Sequence, residues 1–96
     1  MRHWHTHEDE FVYVLEGELV LRTGSGEQLL TAGMCAGFPA GHDDGHQLVN
    51  RSARPAVYLE ISNRDSADSA SYSDAEVDLL WHAATRRFTR RDGTPL

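Results

Sequence analysis

Three histidines and three acidic residues lie within eight positions near the start of the chain, from His3 to Glu10. His3 and His5 are two residues apart, so on an extended segment both side chains project from the same face. Glu10 opens an alternating apolar run, and a turn over residues 6–9 can bring its carboxylate back to the two imidazoles. Because imidazole and carboxylate groups are ligands for divalent transition metals, this spacing predicts a metal site.

His46 offers a further imidazole at the start of another predicted strand, over residues 46–50. Three imidazoles and one carboxylate form a site for one divalent ion of Fe, Mn, Ni, Co, Cu or Zn. Such a set leaves one or two coordination positions open for water or substrate, as in catalytic rather than structural sites. We therefore predict that a single transition-metal ion is held by His3, His5, Glu10 and His46.

Two other histidines compete for the same role. His5 and His7 also alternate, but only two residues then separate His7 from Glu10, and strand register favours His3 with His5. His42 lies in a loop rich in glycine and proline and is the second rival. A purification tag is a further alternative, although this histidine run continues directly into a strand.

Short apolar stretches separated by glycine and proline indicate an all-β framework for these residues. On the first of its strands, Glu10, Val12 and Val14 face one side and the odd positions face the other. Residues 16–17 are predicted to close a hairpin between the first two strands. The predicted strands cover residues 10–15, 18–22, 27–31, 34–38, 46–50 and 56–62.

The remaining third of the chain has a weaker pattern. Residues 65–71 are small and polar and are predicted to form a loop. Residues 73–76 carry a helix-capping pattern, but a strand over 77–81 fits the following apolar positions equally well and is the one we predict. Residues 88–89 add a last short strand. At 96 residues the chain is expected to form one domain, and it contains no internal repeat.

Charge and composition limit the partners. The formal net charge is −6, which argues against nucleic acid as a partner. All nine basic residues are arginines, and the four within 86–91 are interpreted as a solvated face, with an anion site as the alternative. No apolar run is long enough to span a membrane, no signal peptide is visible, and the single cysteine, Cys35, suits a reducing compartment. A cytoplasmic location is expected.

Two segments of the chain resemble the paired motifs of the cupin superfamily, and the resemblance covers about residues 2–62. Four residues rather than two separate the last glycine of the second motif from its histidine, an insertion found in some small cupins. The matching positions are His3, His5, Glu10 and Gly17 in the first motif, and Gly33, Pro39, Gly41, His46 and Asn50 in the second.

The resemblance implies an all-β, cupin-type double-stranded β-helix, which is a jelly-roll barrel of short antiparallel strands. It implies one cupin domain over residues 1–96, with motif 1 at 3–17, motif 2 at 33–50 and a loop and C-terminal extension over 63–96. It also implies His3, His5, Glu10 and His46 as the metal ligands. Glu10 is in addition a candidate catalytic base.

The implied function is that of a metal-dependent enzyme acting on a small polar organic substrate inside the barrel, as a dioxygenase or an isomerase of sugars or sugar phosphates. A non-catalytic sensor that binds a metal or a small molecule is the alternative, and a scaffold without a working site is a third. Cupins carry one or two strands before the first histidine, where this chain has two residues. We therefore expect a second subunit to cover an open sheet edge in a homodimer.

Overall fold

The computed structural model describes residues 1–74 and 76–96, and in these residues it contains ten strands and no helix. No described segment could therefore cross a membrane as a helix. Every strand pairing is antiparallel, which confirms the predicted all-β class. The strands are β1 (His3–His5), β2 (Glu10–Glu16), β3 (Glu18–Thr23), β4 (Gly26–Thr31), β5 (Cys35–Phe38), β6 (Gln47–Val49), β7 (Val57–Ser62), β8 (Ser69–Tyr72), β9 (Leu80–His82) and β10 (Arg87–Thr89).

The strands form three sheets, in the orders β1-β8-β9-β10, β5-β2-β7 and β4-β3-β6. The second and third sheets share the hydrophobic core, to which β2 contributes Val14, β3 contributes Leu19 and Leu21, and β4 contributes Leu30. The core is built from the even positions of β2 because alternate residues of a strand face opposite sides. Full burial of an aliphatic side chain of this size contributes about 1.5–3 kcal/mol to stability.

The hairpin predicted at residues 16–17, between the strands found as β2 and β3, is wrong. β2 pairs with β5 and β7, whereas β3 pairs with β4 and β6, so consecutive strands lie in different sheets. Gly17 joins them at φ +78°, and a Cβ at this position would lie 2.7 Å from the carbonyl oxygen of Pro55. The chain therefore crosses between sheets through a glycine, which lets the apolar sides of both strands pack on one core.

The C-terminal third contains more regular structure than its composition indicates. Part of the predicted loop over 65–71 forms β8, which pairs with β1 on one side and β9 on the other. The strand predicted over 77–81 is found as β9, at Leu80–His82, and the short strand at 88–89 is confirmed as β10. The helix start considered at 73–76 includes residue 75, which lies outside the described residues.

β1 has backbone partners on both of its sides. Its residues pair with β8, so that His3 lies opposite Tyr72 and His5 lies opposite Ala70. On the other side, His3 and His46 exchange two backbone N–H···O hydrogen bonds of 3.1 and 2.9 Å. β1 is therefore paired on both sides within the chain, while the expectation that a second subunit covers the edge left by the strands missing before His3 stays a prediction.

An apolar surface is nevertheless present on the outer face of the sheet β5-β2-β7. Phe11 and Tyr13 of β2 lie opposite Ile61 and Leu59 of β7, and these two β7 side chains are 57% and 50% exposed. Contiguous apolar patches of this kind are typical of interaction surfaces. The homodimer stays a prediction, and we expect it to form through this face.

Introducing charge on this face tests that expectation. Replacing Leu59 and Ile61 with glutamate is expected to raise the dimer dissociation constant at least about tenfold, because burying two unpaired carboxylates is costly. Sedimentation velocity over a concentration series measures the change. Leu29→Glu is the matched control, since Leu29 is 49% exposed on β4, in another sheet. A wild-type chain that is monomeric at every concentration contradicts the expectation.

Candidate metal centre

The four predicted site residues converge on the carboxylate of Glu10, the first residue of β2, which is 8% exposed. His5 Nε2 lies 2.5 Å from Glu10 Oε1, and His3 Nε2 lies 3.8 Å from the same oxygen. His46 Nε2 lies 3.3 Å from Glu10 Oε2. The structure therefore brings three imidazoles onto one buried carboxylate, and their binding of an ion stays a prediction.

Local strand geometry accounts for this convergence. His3 and His5 project together because they are alternate residues of β1. His46 is held beside them by its backbone bridge to His3. Phe38 lies opposite Glu10 on β5, and its ring stacks on the His46 imidazole with centroids 3.7 Å apart. The stacked ring shields one face of His46 from water and limits its rotation.

The surroundings of one Glu10 oxygen test whether a metal ion fits this site. Oε1 is buried and has no hydrogen-bond partner among the described residues, since His5 Nε2 lies close to it but is not aligned to donate. Donor atoms of His3, His5 and Glu10 all lie within 4.8 Å of one another. Three imidazoles and a carboxylate are the donor types that divalent transition metals prefer, so the residues fit such an ion.

The protonation of the site follows from the same contacts. The Glu10 carboxylate raises the pKa of His5 to about 9, an effect that burial opposes and Asp68 reinforces. For Glu10, burial raises the pKa, but the contacts with His46 and His5 outweigh it and hold the pKa well below the ordinary value. Burial lowers the pKa of His3. In the metal-free protein, His5 is therefore a cation between two carboxylates, and His3 is neutral at pH 7.

Asp68 is the site residue that the sequence did not reveal. Its side chain is 1% exposed, and Oδ2 lies 2.6 Å from His5 Nδ1. Its other oxygen accepts the backbone N–H groups of His7 and Glu8, at 3.0 and 3.1 Å. A carboxylate on the far nitrogen of a ligating histidine fixes the orientation of the ring and increases its basicity. Asp68 therefore holds His5 Nε2 toward Glu10.

Asp68 was missed because it lies in the segment predicted as a loop, next to the first residue of β8. No apolar alternation marks this strand, whose residues are Ser69, Ala70, Ser71 and Tyr72. Its strand conformation depends on pairing with β1, more than 60 residues away, and such pairing has no local signature. The sequence shows only an aspartate in a small polar segment, which does not indicate that its side chain is buried.

The rival ligands lie outside the convergent group. His7 is exposed, and its Nδ1 contacts Thr6 Oγ1 at 2.8 Å. His42 is also exposed, but it lines a cavity of about 230 Å³ that reaches His5, Glu10 and His46. This position suits contact with a bound molecule better than contact with an ion at Glu10.

A second group of donors consists of His5, Glu8 and Asp68, again within 4.8 Å of one another. Both Asp68 oxygens already accept hydrogen bonds, as described above. The Glu8 carboxylate accepts the Ser62 hydroxyl at 3.4 Å and the Asp65 backbone N–H at 3.1 Å. Because these carboxylates are already satisfied, the group supports His5 rather than forming a second metal site.

Metal binding is expected to weaken as the pH falls below about 9, because an ion must displace the proton on His5. Displacing one proton costs about tenfold in apparent affinity for each pH unit below the pKa. Calorimetric titration with Co²⁺ between pH 6.5 and 9, in buffers of different ionisation enthalpy, measures both affinity and proton release. His7→Ala is the control and should leave both unchanged. Affinity that does not vary with pH contradicts the proposed protonation of His5.

Asp68→Asn is expected to lower Co²⁺ affinity about 10- to 100-fold, since asparagine can still accept the two backbone N–H groups but loses the charge that supports His5. The same variant should lower the pKa of His5, as followed by NMR in the metal-free protein. Asp65→Asn, in the same loop, is the matched control. Unchanged affinity in a folded Asp68→Asn protein argues against an orienting role for this residue.

Comparison with known proteins identifies the family of the chain. A sequence model of the cupin domain matches residues 1–62. A sugar phosphate isomerase of the cupin superfamily from Silicibacter pomeroyi is 45% identical, with a TM-score of 0.90 over 100% of this chain and 61% of that protein. A candidate sugar phosphate isomerase from Acidithiobacillus ferrooxidans is 25% identical, with a TM-score of 0.81 over 99% of this chain and 60% of that one. A search of curated proteins found no match.

The chain therefore spans about three fifths of the length of the two solved structures it matches. The cupin match covers well over half of the chain and includes Glu10 and the three histidines around its carboxylate. The jelly-roll barrel expected from the paired motifs is confirmed by the fold and by the high TM-scores. This chain belongs to the cupin domain family.

Proposed function

We propose that this chain is a metal-dependent isomerase of a sugar phosphate. The observation that carries the proposal is the convergence of three imidazoles on the buried Glu10 carboxylate beside a cavity. The names of the two similar solved proteins support the substrate class, because one is a sugar phosphate isomerase and the other a candidate for that activity. The cavity favours a small polar molecule over a macromolecule.

The residues around Glu10 are suited to binding and orienting a polyhydroxyl compound. The ligand set of three imidazoles and Glu10 would hold one divalent ion, which when bound supplies Lewis-acid polarisation of a carbonyl oxygen. Phe38 lines one side of the cavity with its ring stacked on the His46 imidazole, which limits the access of water to that side. His42 and Trp4 line the same cavity and can contact hydroxyl groups of the substrate.

Isomerisation of an aldose and a ketose requires a base that removes a proton from the carbon beside the carbonyl group and returns it to the neighbouring carbon. Glu10 is the base predicted from sequence, but its lowered pKa makes it a weak proton acceptor. Glu60 of β7 lines a cavity of about 530 Å³ together with Glu10. The Glu60 side chain makes no hydrogen bond or ion pair with the described residues. We therefore propose Glu60 as the base and Glu10 as a ligand.

Exchange with solvent deuterium tests the proposed reaction directly. Metal-loaded protein incubated with aldose and ketose phosphates in D₂O should incorporate deuterium beside the carbonyl group, as followed by NMR. His46→Ala is expected to reduce metal content from about one ion per chain toward zero and to abolish exchange. His7→Ala is the control and should retain both. A protein that binds metal but exchanges no sugar phosphate contradicts the isomerase proposal and favours a non-catalytic sensor.

The same assay distinguishes the proposed roles of the Glu60 and Glu10 carboxylates. Glu60→Gln should retain the metal and lower the exchange rate about 100-fold or more, which is the usual contribution of a general base. Glu10→Gln should lose metal as well as exchange, because it removes a charged ligand. If Glu60→Gln exchanges at the unaltered rate, Glu60 is not the base.

A further inference from the structure

Two arginines that the metal site does not use line one cavity beside it. Arg64 lies in the loop after β7, and Arg86 lies in the turn between β9 and β10. Both line a cavity of about 330 Å³ whose wall also includes His5. Arg64 in addition lines the neighbouring cavity of about 530 Å³, which includes Glu10. Arg64 therefore borders both the cavity next to the proposed metal ligands and the cavity that contains Arg86.

The guanidinium groups of Arg64 and Arg86 have no hydrogen bond or ion pair with any residue in 1–74 or 76–96. Most other arginines of the chain are engaged with acidic or carbonyl groups, so their donors are already used. The engaged arginines are Arg2, Arg22, Arg51, Arg90 and Arg91. Arg64 and Arg86 thus offer free donors at a cavity wall.

The backbone gives no reason for an arginine at either position. Arg64 has φ +51° and Arg86 has φ +55°, in the left-handed region that glycine and asparagine adopt most easily. At Arg86 the turn is closed by a hydrogen bond of 2.9 Å from its backbone N–H to the His82 carbonyl oxygen, which needs no particular side chain. What arginine adds at these two positions is the guanidinium group itself.

The acidic residues of the same cavity are Glu8, Asp65 and Asp68, and none of them forms an ion pair with either arginine. Glu8 accepts hydrogen bonds from the Ser62 hydroxyl and the Asp65 backbone N–H. Asp65 in turn accepts the backbone N–H of Ala67 at 2.8 Å. These carboxylates stabilise their own loop, whereas both guanidinium groups are exposed and available to an anion.

We propose that Arg64 and Arg86 form a phosphate subsite, which anchors the phosphate group of a small phosphorylated substrate whose other end reaches the metal centre. The inference rests on the proposed function and names the residues that would recognise its phosphate. Guanidinium groups suit this role because they donate paired hydrogen bonds to phosphate oxygens with matching geometry. The proposal assigns an anion-binding role to Arg86, one of the four arginines within 86–91 that are interpreted from the sequence as a solvated face.

Inorganic phosphate, titrated into the metal-free full chain and followed by ³¹P NMR, tests the subsite without any contribution from an ion. Glycine is the chosen replacement because it favours the backbone conformation found at both positions, so the variants should fold. The double variant Arg64→Gly, Arg86→Gly is expected to weaken phosphate binding at least about tenfold. Arg54→Ala is the control, since Arg54 is also exposed and lines neither cavity. Equal affinity in all three proteins overturns the proposal.

Competition with a hexose 6-phosphate and the unphosphorylated hexose separates this subsite from the isomerase function. Displacement of bound phosphate by the sugar phosphate alone supports the subsite, and equal displacement by both sugars overturns it. Arginine-dependent phosphate binding in a protein that turns over no sugar phosphate supports the subsite and contradicts the proposed function. Turnover with phosphate affinity that is indifferent to the arginines supports the function and overturns the subsite.

Discussion

The architecture of this cupin depends on compensating one buried charge, the carboxylate of Glu10. A charged group in an apolar interior is stable only with partners of opposite charge or with a metal. The Glu10 side chain lies on the inner side of β2, directly before the apolar residues of the core, so its partners must come from neighbouring strands. β1 and the residue before β6 bring three imidazoles to it, and among them His5 carries a compensating positive charge. The strand pairing that forms the core therefore also brings the histidines of the candidate metal centre to Glu10.

Residues beyond the matched cupin segment contribute to that solution. β8 completes the pairing of β1, and Asp68 next to it orients His5. Arg64 and Arg86, in the same part of the chain, border the cavities that lead to the site. The motif residues thus form the inner set around Glu10, while the C-terminal third positions them and provides the charged groups around them.

Sequence reasoning succeeded where the information is local. Alternation along residues 10–15 predicted which β2 side chains are buried, and the two-residue spacing of His3 and His5 placed both on one face. It failed where structure depends on distant pairing. The hairpin expected at Gly17 is a crossing between sheets, and β8 forms from polar residues because β1 lies beside it. Asp68 was missed for the same reason, since its function follows from β1–β8 pairing rather than from any local pattern.

The central claim is that a divalent ion replaces the direct contacts between the imidazoles and Glu10. X-ray absorption at the zinc edge of the Zn²⁺-loaded protein tests it most directly. The account predicts one ion per chain and imidazole scattering from three histidines with Zn–N distances of about 2.0–2.1 Å. It also predicts one oxygen ligand from Glu10 at about 2.0–2.2 Å. Imidazole scattering should fall in His46→Ala and remain in His7→Ala. A spectrum without imidazole scattering, or one that His46→Ala leaves unchanged, contradicts the account.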